Sequence, residues 1–373
     1  MYDFVIVGAG LAGCTFAYLA KRYGFKCLVV EKKESIGGTC ATEKMSGITV
    51  HKYGAHIFKT SDKFIWDFVN KIASFDFFVN TPKARYKDRL FSLPINMNTF
   101  HELWGVITPE EAKKKIEEQK QTFTYVDSLE RFVLSEVGKD IYQYLIKGYT
   151  EKQWGIPCSK LKPEIMRRIP IRLTFNNNYY DSKYQGIPSC GYSEFMERML
   201  EGIETITNTD FIKNRLHFEG MARTVVYTGA LDELFSYVYG DLDYRSLLFD
   251  HKEIHDSNNY QGVAVVNYTS NDVPYTRVIE HRHFSQNNPE CGTVITYETP
   301  CKYQRNGLSD RYYPMTDKVN LEKYSVYRSL IPDNYIILGR LAEYRYIDMA
   351  ETIESAVKSF ESATGIAVHG AYI

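Results

Sequence analysis

The chain has 373 residues, with 45 basic and 46 acidic side chains, so its formal net charge is −1. This length exceeds the size at which one hydrophobic core stops growing, and it predicts two or three domains. The balanced charge argues against nucleic acid or an anionic membrane as a partner, so any bound anion requires a local cluster of cations.

Cysteine and histidine spacing gives no metal or disulfide signal. Seven cysteines are scattered without a CxxC pair. His281 and His283 are two apart on one predicted strand face but lack a third ligand, so no metal is expected. No basic segment precedes the first strand and no apolar run is long enough to span a bilayer, so we expect a cytoplasmic protein without a membrane partner.

The first 31 residues predict a βαβ unit. Residues 2–7 form an apolar, β-branched run, a helical pattern begins at Leu11, and residues 26–31 form a second buried strand. Three glycines at GxGxxG spacing separate the first strand from the helix: Gly8, Gly10 and Gly13. In a dinucleotide fold they permit the tight turn, the approach of a pyrophosphate and close helix–strand packing, while Glu31 accepts hydrogen bonds from a ribose. The whole unit predicts a dinucleotide site.

The next segment favours FAD over NAD. Glu34 is followed by Gly37 and Gly38, and an acid with a glycine pair after the second strand is typical of FAD-binding proteins. Gly339 and Arg340 precede a predicted helix start and indicate a second flavin contact. FAD is therefore the predicted cofactor.

The remaining elements alternate in character along the chain. Residues 99–150 are helical, with a capping box from Thr108 to Glu111 and a further helix opened by Asp127. Residues 205–305 carry short alternating strands. A buried strand at 335–340 and a helix at 348–360 end the chain, and we expect this pair to return to the first sheet.

The polar and aromatic motifs outside the βαβ unit each have a structural alternative. Tyr149 and Trp154 put two aromatic side chains on a turn, which indicates a ligand site or core packing equally well. The basic run at 167–172 contains a proline and is more typical of a solvated surface. Arg277 fits a ligand contact or one half of an ion pair.

Nine longer stretches are more specific than a dinucleotide fingerprint. They are VGAGLAG (7–13), YGAHIF (53–58), FSLPIN (91–96), KGYTEKQWG (147–155), NYYDSKYQGIPSCGY (178–192), GALDELFSYVYG (229–240), YQGVAVVNYTSNDVPYTRVIEH (260–281), RYYP (311–314) and GRLAEYRYIDM (339–349). With these stretches the sequence resembles the bacterial UDP-galactopyranose mutase family over nearly its whole length.

The resemblance implies an isomerase that interconverts pyranose and furanose forms of a nucleotide sugar without net redox change. In the family, reduced flavin attacks the anomeric carbon and displaces the nucleotide diphosphate, and the covalent flavin–sugar adduct opens and recloses as a furanose. The implied substrate is UDP-galactopyranose, converted to UDP-galactofuranose for cell-surface polysaccharide. The implied partners are an external reductant such as NAD(P)H and, because the family is usually dimeric, a second copy of the chain.

The resemblance also implies roles for individual residues. Three are catalytic: Arg168 and Arg277, which clamp the diphosphate, and His56 beside the flavin. Nine contact substrate: Asn80, Tyr149, Thr150, Trp154, Tyr179, Asn267, Tyr313, Tyr346 and Lys59. The cofactor contacts are Gly8, Gly10, Gly13, Glu31, Gly38, Thr39, His56, Ile57, Arg340, Asp348 and Met349.

Four positions depart from the family pattern. Lys59 replaces a histidine, Leu145 and Ile146 replace paired phenylalanines near the base, and Thr39 replaces an asparagine. Smaller side chains near the base would leave room for a thymine methyl, so dTDP-fucopyranose and UDP-N-acetylgalactosamine are alternative substrates. An FAD oxidoreductase of the amine-oxidase type and a non-catalytic sensor of nucleotide sugars are the alternative classes.

The expected architecture is α/β, an FAD-binding Rossmann-like dinucleotide fold with an inserted helical domain and an inserted antiparallel β-sheet domain. The FAD-binding domain is predicted to comprise residues 1–78, 193–235 and 314–373. The helical domain, with a mobile loop, is predicted at 97–178. The sheet domain is predicted at 79–96, 179–192 and 236–313, and the active cleft where the three domains meet.

Overall fold

The structure, a computed structural model, describes residues 1–166, 171–305 and 307–368. Its strands, in chain order, are β1 (Tyr2–Val7), β2 (Cys27–Val30), β3 (Thr42–Met45), β4 (Ile48–His51), β5 (Phe58–Thr60), β6 (Phe75–Phe77), β7 (Lys83–Tyr86), β8 (Arg89–Ser92), β9 (Tyr184–Pro188), β10 (Glu204–Ile206), β11 (Ala222–Tyr227), β12 (Tyr244–Ile254), β13 (Val265–Tyr268), β14 (Arg277–Glu280), β15 (Thr293–Lys302), β16 (Tyr313–Pro314) and β17 (Tyr335–Ile337). Its α-helices are α1 (Leu11–Arg22), α2 (Lys63–Ile72), α3 (Met97–Trp104), α4 (Pro109–Gln119), α5 (Leu129–Ile141), α6 (Gly148–Trp154), α7 (Tyr192–Leu200), α8 (Arg215–Glu219), α9 (Leu231–Leu234), α10 (Lys318–Ser329) and α11 (Met349–Thr364).

A parallel sheet carries the N-terminal βαβ unit. Its order in the described residues is β10–β2–β1–β11–β17, and each neighbouring pair is parallel. Strand β2 is buried along its whole length, as expected for a sheet covered on both faces. Helices α1 and α11 pack side by side, with the rings of Phe16 and Phe360 edge to face at 5.7 Å. The predicted Rossmann-like fold and the return of the terminal strand and helix to the first sheet are confirmed.

A second sheet takes the order β16–β12–β15–β14–β13–β7–β8 in the described part of the chain. Its pairs are antiparallel except for β13 with β7, which is parallel, so the sheet is mixed where an antiparallel one was expected. Parallel neighbours need a long connection, and here the whole helical part lies between them. Strands β12 and β15 have 11 and 10 residues, longer than the short strands expected.

Residues 179–192, assigned from the sequence to the antiparallel sheet domain, contain a strand that pairs elsewhere. Strand β9 lies between β5 and β6 in a small antiparallel sheet. The rings of Trp66 and Tyr184 stack at 5.4 Å, and Ile187 joins the core beneath the parallel sheet. Aromatic packing against α2 therefore keeps this strand with the FAD-binding part of the chain.

The helical part has its own core. The capping box at Thr108 and Glu111 begins α4 as predicted. Helix α5 is capped by Ser128 rather than the expected Asp127, because the serine hydroxyl accepts from the Arg131 amide. A π-helical turn, Tyr142–Lys147, joins α5 to α6. No helix in the three described ranges combines the length and apolar character needed to cross a bilayer.

Candidate functional site

Two glycine turns face each other at the carboxyl end of the parallel sheet. Gly8 ends β1 with φ +100°, Gly10 is the N-cap of α1, and Gly37 and Gly38 lie opposite with φ +115° and +55°. The Gly37 amide donates to Ala9 O at 2.8 Å, which ties the two turns together. With Gly13, whose hydrogen allows α1 to pack on the Gly8 carbonyl, these residues form what we call the glycine cradle.

The cradle fits a diphosphate. Gly10 has no side chain to cap α1, so the first amides of that helix are open to an anion, and the helix dipole favours negative charge there. A Cβ at Gly10 would lie 3.7 Å from Gly38 Cα, so it would fill the gap between the turns without displacing the protein backbone. Glu31 lies directly behind, where its carboxylate accepts from the Ala9 and Lys33 amides at 2.7 and 2.8 Å.

The other predicted cofactor residues approach the cradle from three segments. Thr39 lies in a 3₁₀ turn directly after Gly38, and Ile57 is buried in the same core as α1. Gly339 brings the C-terminal segment against α1, since a Cβ there would lie 3.0 Å from Ala12 Cβ. The adjacent Arg340 donates to Ile347 O at 2.9 Å.

His56 is held as a neutral ring. Its Nδ1 donates to Gly54 O at 2.7 Å, which leaves Nε2 as an acceptor. Burial and, to a smaller extent, the charges of Arg340 and Arg277 lower the pKa of His56 to about 4, although the Gly54 contact raises it. His56 therefore lies within the field of both guanidinium groups and carries no charge at neutral pH.

Three polar side chains stand in register across the second sheet. Asn267 on β13 is the direct partner of Arg277 on β14, and Arg277 is the direct partner of Glu298 on β15. Directly opposed residues project from the same face of a sheet, so the three form one transverse line, which we call the sheet row. Arg277 Nε donates to Glu298 Oε1 at 2.9 Å, and Arg277 Nη2 forms an ion pair with the same oxygen at 2.7 Å.

Among the buried polar atoms of the described residues that have no protein partner, two lie on the sheet row and one lies on a neighbouring segment. They are Glu298 Oε2, Asn267 Oδ1 and, on the segment before β7, Asn80 Oδ1. Leaving such atoms unsatisfied costs free energy, so native structures pair them with water or ligand. The sheet row thus presents one cation and several acceptors to a polar ligand.

Four tyrosines border the sheet row. Burial would lower the pKa of Arg277, but Glu298, Tyr149 and Tyr313 together raise it well above its usual value. Burial raises the pKa of Tyr313 to about 12, so this hydroxyl stays a donor. Tyr346 stacks near Tyr313 with ring centroids 5.9 Å apart, and the Tyr179 amide donates to Asn80 O at 2.9 Å.

Helix α6 supplies the remaining aromatic contact. Thr150 is buried and Trp154, the last helical residue, packs partly against the helical core. Gly155 ends the helix with φ +73°. Tyr149 and Trp154 thus lie on a short helix rather than on an isolated turn, and Tyr149 is close enough to Arg277 to raise its pKa.

Lys59 does not extend freely into the cleft. Its ammonium pairs with Asp348 Oδ2 at 2.6 Å and lies 5.3 Å from the centre of the Tyr180 ring. Asp348 is at the same time the N-cap of α11, where its Oδ1 accepts from the Glu351 amide and Met349 is the first helical residue. The Lys59 ammonium is therefore held at the N-terminus of α11, next to the predicted cofactor contacts Asp348 and Met349.

Arg168 lies outside the described residues. Two other pairs of residues are located differently from what the sequence led us to expect. Leu145 and Ile146 are only 7% and 5% exposed, in the core of the helical part, and present almost no surface to a base. His281 and His283 belong to a 3₁₀ turn, not to one strand face, with His281 buried against Thr296 and His283 bonded to Glu280.

Glu298 is a residue of the candidate site that sequence patterns missed. It lies in TVITYETP, where alternation indicates only a strand. Its position opposite Arg277 depends on the register between β14 and β15, and strand register cannot be read from a single sequence. The available signal was a lone acid in an otherwise apolar or hydroxyl-rich strand.

The fold and the site define a dinucleotide-binding protein with a buried row of polar side chains. A family model for UDP-galactopyranose mutase matches residues 144–346, more than half of the chain, and a model for an NAD(P)-binding Rossmann-like domain matches residues 6–72. A probable UDP-galactopyranose mutase of Klebsiella pneumoniae is 35% identical over 365 residues, covering 96% of this chain and 93% of the relative. A dTDP-fucopyranose mutase of Escherichia coli is 32% identical over 369 residues, covering 96% and 97%.

A solved structure of reduced UDP-galactopyranose mutase shares the fold, with a TM-score of 0.74, 14% identity and coverage of 100% of this chain and 97% of that one. Putrescine oxidase shares it less closely, with a TM-score of 0.59, 10% identity and coverage of 98% and 99%. The chain belongs to the UDP-galactopyranose mutase family and is an FAD-dependent isomerase.

Proposed function

We propose that this enzyme interconverts UDP-galactopyranose and UDP-galactofuranose, for use in cell-surface polysaccharide, and that it acts with reduced FAD. The sheet row carries the proposal, because it offers a fixed guanidinium beside unsatisfied acceptors. A guanidinium binds a diphosphate through charge-assisted hydrogen bonds, and unsatisfied acceptors can receive hydrogen bonds from sugar hydroxyl groups. The similarity to two curated mutases over 96% of the chain supports the same reaction class.

The predicted residues that contact substrate have these roles in the proposal. Arg277 binds the diphosphate, and Arg168, which lies outside the described residues, is the second arginine proposed to bind it. Asn267 Oδ1, Asn80 Oδ1 and Glu298 Oε2 accept from sugar or ribose hydroxyl groups. Tyr313 donates to a phosphate oxygen, Tyr149 and Trp154 pack against the nucleoside, and Tyr179 and Tyr346 border the opening of the cleft.

The cofactor residues act by shape and by hydrogen bonding. The glycine cradle holds the FAD diphosphate against the start of α1, with Glu31 at the ribose. The chemistry that reduced FAD supplies when bound is nucleophilic catalysis at the anomeric carbon. The neutral His56 accepts through Nε2 and adds no charge beside Arg340 and Arg277. An external reductant such as NAD(P)H and a homodimer are part of the proposal.

The predicted domain division is part of the same proposal, with one change. We assign strand β9 to the FAD-binding part because it pairs with β5 and β6. The helical domain and the rest of the sheet domain keep the limits predicted from the sequence, and the cleft lies between the cradle and the sheet row.

Turnover of purified holoenzyme with UDP-galactopyranose tests the proposal. We expect the furanose product by chromatography only after dithionite or NAD(P)H is added, with no stoichiometric consumption of reductant. Equal activity with oxidised FAD would contradict the role of the reduced cofactor. Consumption of oxygen with an amine substrate would instead indicate an oxidase, the alternative class.

A second substrate follows from one observation. The dTDP-fucopyranose mutase is almost as similar as the UDP-galactopyranose mutase, at 32% against 35% identity. The buried positions of Leu145 and Ile146 do not add support, since they leave no opening for a thymine methyl. Values of kcat/KM for UDP-galactopyranose, dTDP-fucopyranose and UDP-N-acetylgalactosamine decide between the three.

A further inference from the structure

Lys152 lies in the middle of α6 and points its ammonium into a ring of backbone carbonyls. Its Nζ lies 2.9 Å from Tyr268 O, 2.7 Å from Ser270 O and 2.8 Å from Tyr275 O. Val273 O is a fourth, more distant acceptor at 3.3 Å. An ammonium has three donors, so the three short contacts satisfy it. All four carbonyls belong to the connection between β13 and β14 or to its first flanking residue.

The same face of α6 is shaped to approach this connection. Gly148, one turn before Lys152, has its α-carbon against Thr269 O and Asn271 Oδ1, and any Cβ would collide with both. Asn271 Nδ2 also donates to Glu151 at 3.4 Å. Residues four apart lie above one another on a helix, so Gly148 and Lys152 form one docking face.

The two elements that meet in this contact both carry or adjoin proposed ligand residues. Helix α6 holds Tyr149 and Trp154, and the connection joins Asn267 to Arg277. A shift between the two elements would separate the residues assigned to the nucleoside from the guanidinium assigned to the diphosphate.

Resting on the proposed function, we propose that Lys152 is a positioning residue for nucleotide diphosphate binding, which fixes α6 against the connection between β13 and β14. It touches no substrate itself. Its removal should weaken binding of the nucleotide diphosphate and leave the chemistry on a bound sugar, and the FAD site, unchanged.

The chemistry of the ring explains why lysine is needed. A compact ammonium reaches carbonyls converging from several directions, whereas the planar guanidinium of arginine donates in a fixed fork and does not fit them. Burial, partly offset by the nearby Asp272, lowers the pKa of Lys152 to about 8. Most molecules therefore carry the charge at pH 7.

The test compares Lys152→Met and Lys152→Arg with Lys160→Met, a control at an exposed lysine just after α6. UDP affinity, KM and kcat are measured on holoenzyme at pH 7, and amide hydrogen exchange is followed in residues 148–154 and 268–276. We expect both Lys152 variants to exchange faster there and to raise the Kd of UDP and the KM by about tenfold or more, since several hydrogen bonds to a charged group are lost. The expected kcat changes less than about threefold, and FAD content and the control stay at wild-type values.

Two results would overturn the proposal. One is unchanged exchange in both segments, and the other is faster exchange with wild-type affinity for UDP, which would make Lys152 purely structural. A wild type that neither binds UDP nor turns over a nucleotide sugar would contradict the proposed function and, with it, the ligand role of Lys152. The exchange measurement would still show whether Lys152 holds the two elements together.

Discussion

The glycine cradle and the sheet row recognise their ligands by opposite means. The cradle is built from residues whose side chains are missing, so backbone amides come close to a ligand. The sheet row is built from charged and polar side chains that a fold must hold in a buried place. Adding side-chain atoms should therefore weaken ligand binding at the glycine cradle, and removing a charge should weaken ligand binding at the sheet row.

The largest expected effect is at the cradle. Gly10→Val should weaken FAD binding by about a hundredfold or more, because blocked approach removes several charge-assisted hydrogen bonds at once. The protein should still fold, since the nearest atom to a Cβ is Gly38 Cα at 3.7 Å. The ratio of flavin to protein absorbance after gel filtration measures the loss.

Gly220→Ala is the matched control, because its φ of −69° suits any residue and a Cβ there makes ordinary contacts. It should keep full FAD content. Full occupancy in Gly10→Val would show that the diphosphate passes elsewhere.

Next in size is the sheet row. Arg277→Ala should lower kcat/KM by a factor that corresponds to about 2–5 kcal/mol of transition-state stabilisation, the usual cost of removing one partner of a buried charge pair, and should keep FAD. The same loss is predicted for Arg168→Ala. Arg223→Ala, at an exposed arginine, should be neutral. Near-normal turnover of Arg277→Ala would return Arg277 to a purely structural ion pair with Glu298.

A third test concerns the stability of the protein in acid, which we expect to depend on the buried His51 in β4. Burial, with the neighbouring His56, lowers the pKa of His51 to about 3 from 6.5. The unfolded chain then binds the proton first, so stability should fall as pH drops below about 6.5 and continue to fall towards pH 3. At pH 5 His51 alone should cost about 2 kcal/mol relative to pH 8, since one pKa unit corresponds to about 1.36 kcal/mol.

Thermal unfolding of the holoenzyme between pH 5 and 8 measures this loss. His51→Gln should flatten the acid side of the profile, and His217→Gln, at an exposed histidine, should not. A profile unchanged by His51→Gln would assign the acid sensitivity to other groups.

The smallest effect is expected at Lys59, which belongs to neither region. Its pair with Asp348 is about 30% exposed on each side, and such pairs contribute about 0–1 kcal/mol. Lys59→His should therefore change stability little and shift the ratio of kcat/KM between UDP-galactopyranose and dTDP-fucopyranose by less than about tenfold. A larger shift would show that Lys59 contacts the sugar directly and contributes to substrate specificity.

The two regions also differ in how far the sequence predicts them. The cradle follows from neighbouring residues, because a strand, a glycine turn and a helix start are local signals. The sheet row does not, because Arg277 meets Glu298 only through the pairing of β14 with β15. Arg277 was assigned from a family resemblance and its buried partner was not found at all.

The same limit explains the remaining differences. The carbonyl ring around Lys152 consists of backbone atoms, whose direction no residue type encodes. Leu145 and Ile146 were placed near a base by analogy, but a π-helical turn directs them into the helical core. Residues 179–192 were assigned to the sheet domain, whereas strand β9 pairs with β5 and β6 and its Tyr184 stacks on Trp66 of α2.

The order of the parallel sheet has a consequence for how the protein is made. Strand β1 lies at the centre between β2 and β11, and β17 closes the edge beyond β11. During synthesis the central strand emerges first, but its second neighbour appears only after about 220 residues and the edge strand after about 330. Such distant pairings slow folding. The sheet that supports the cradle is therefore complete only when almost the entire chain has left the ribosome, so stable FAD binding is expected only late in folding.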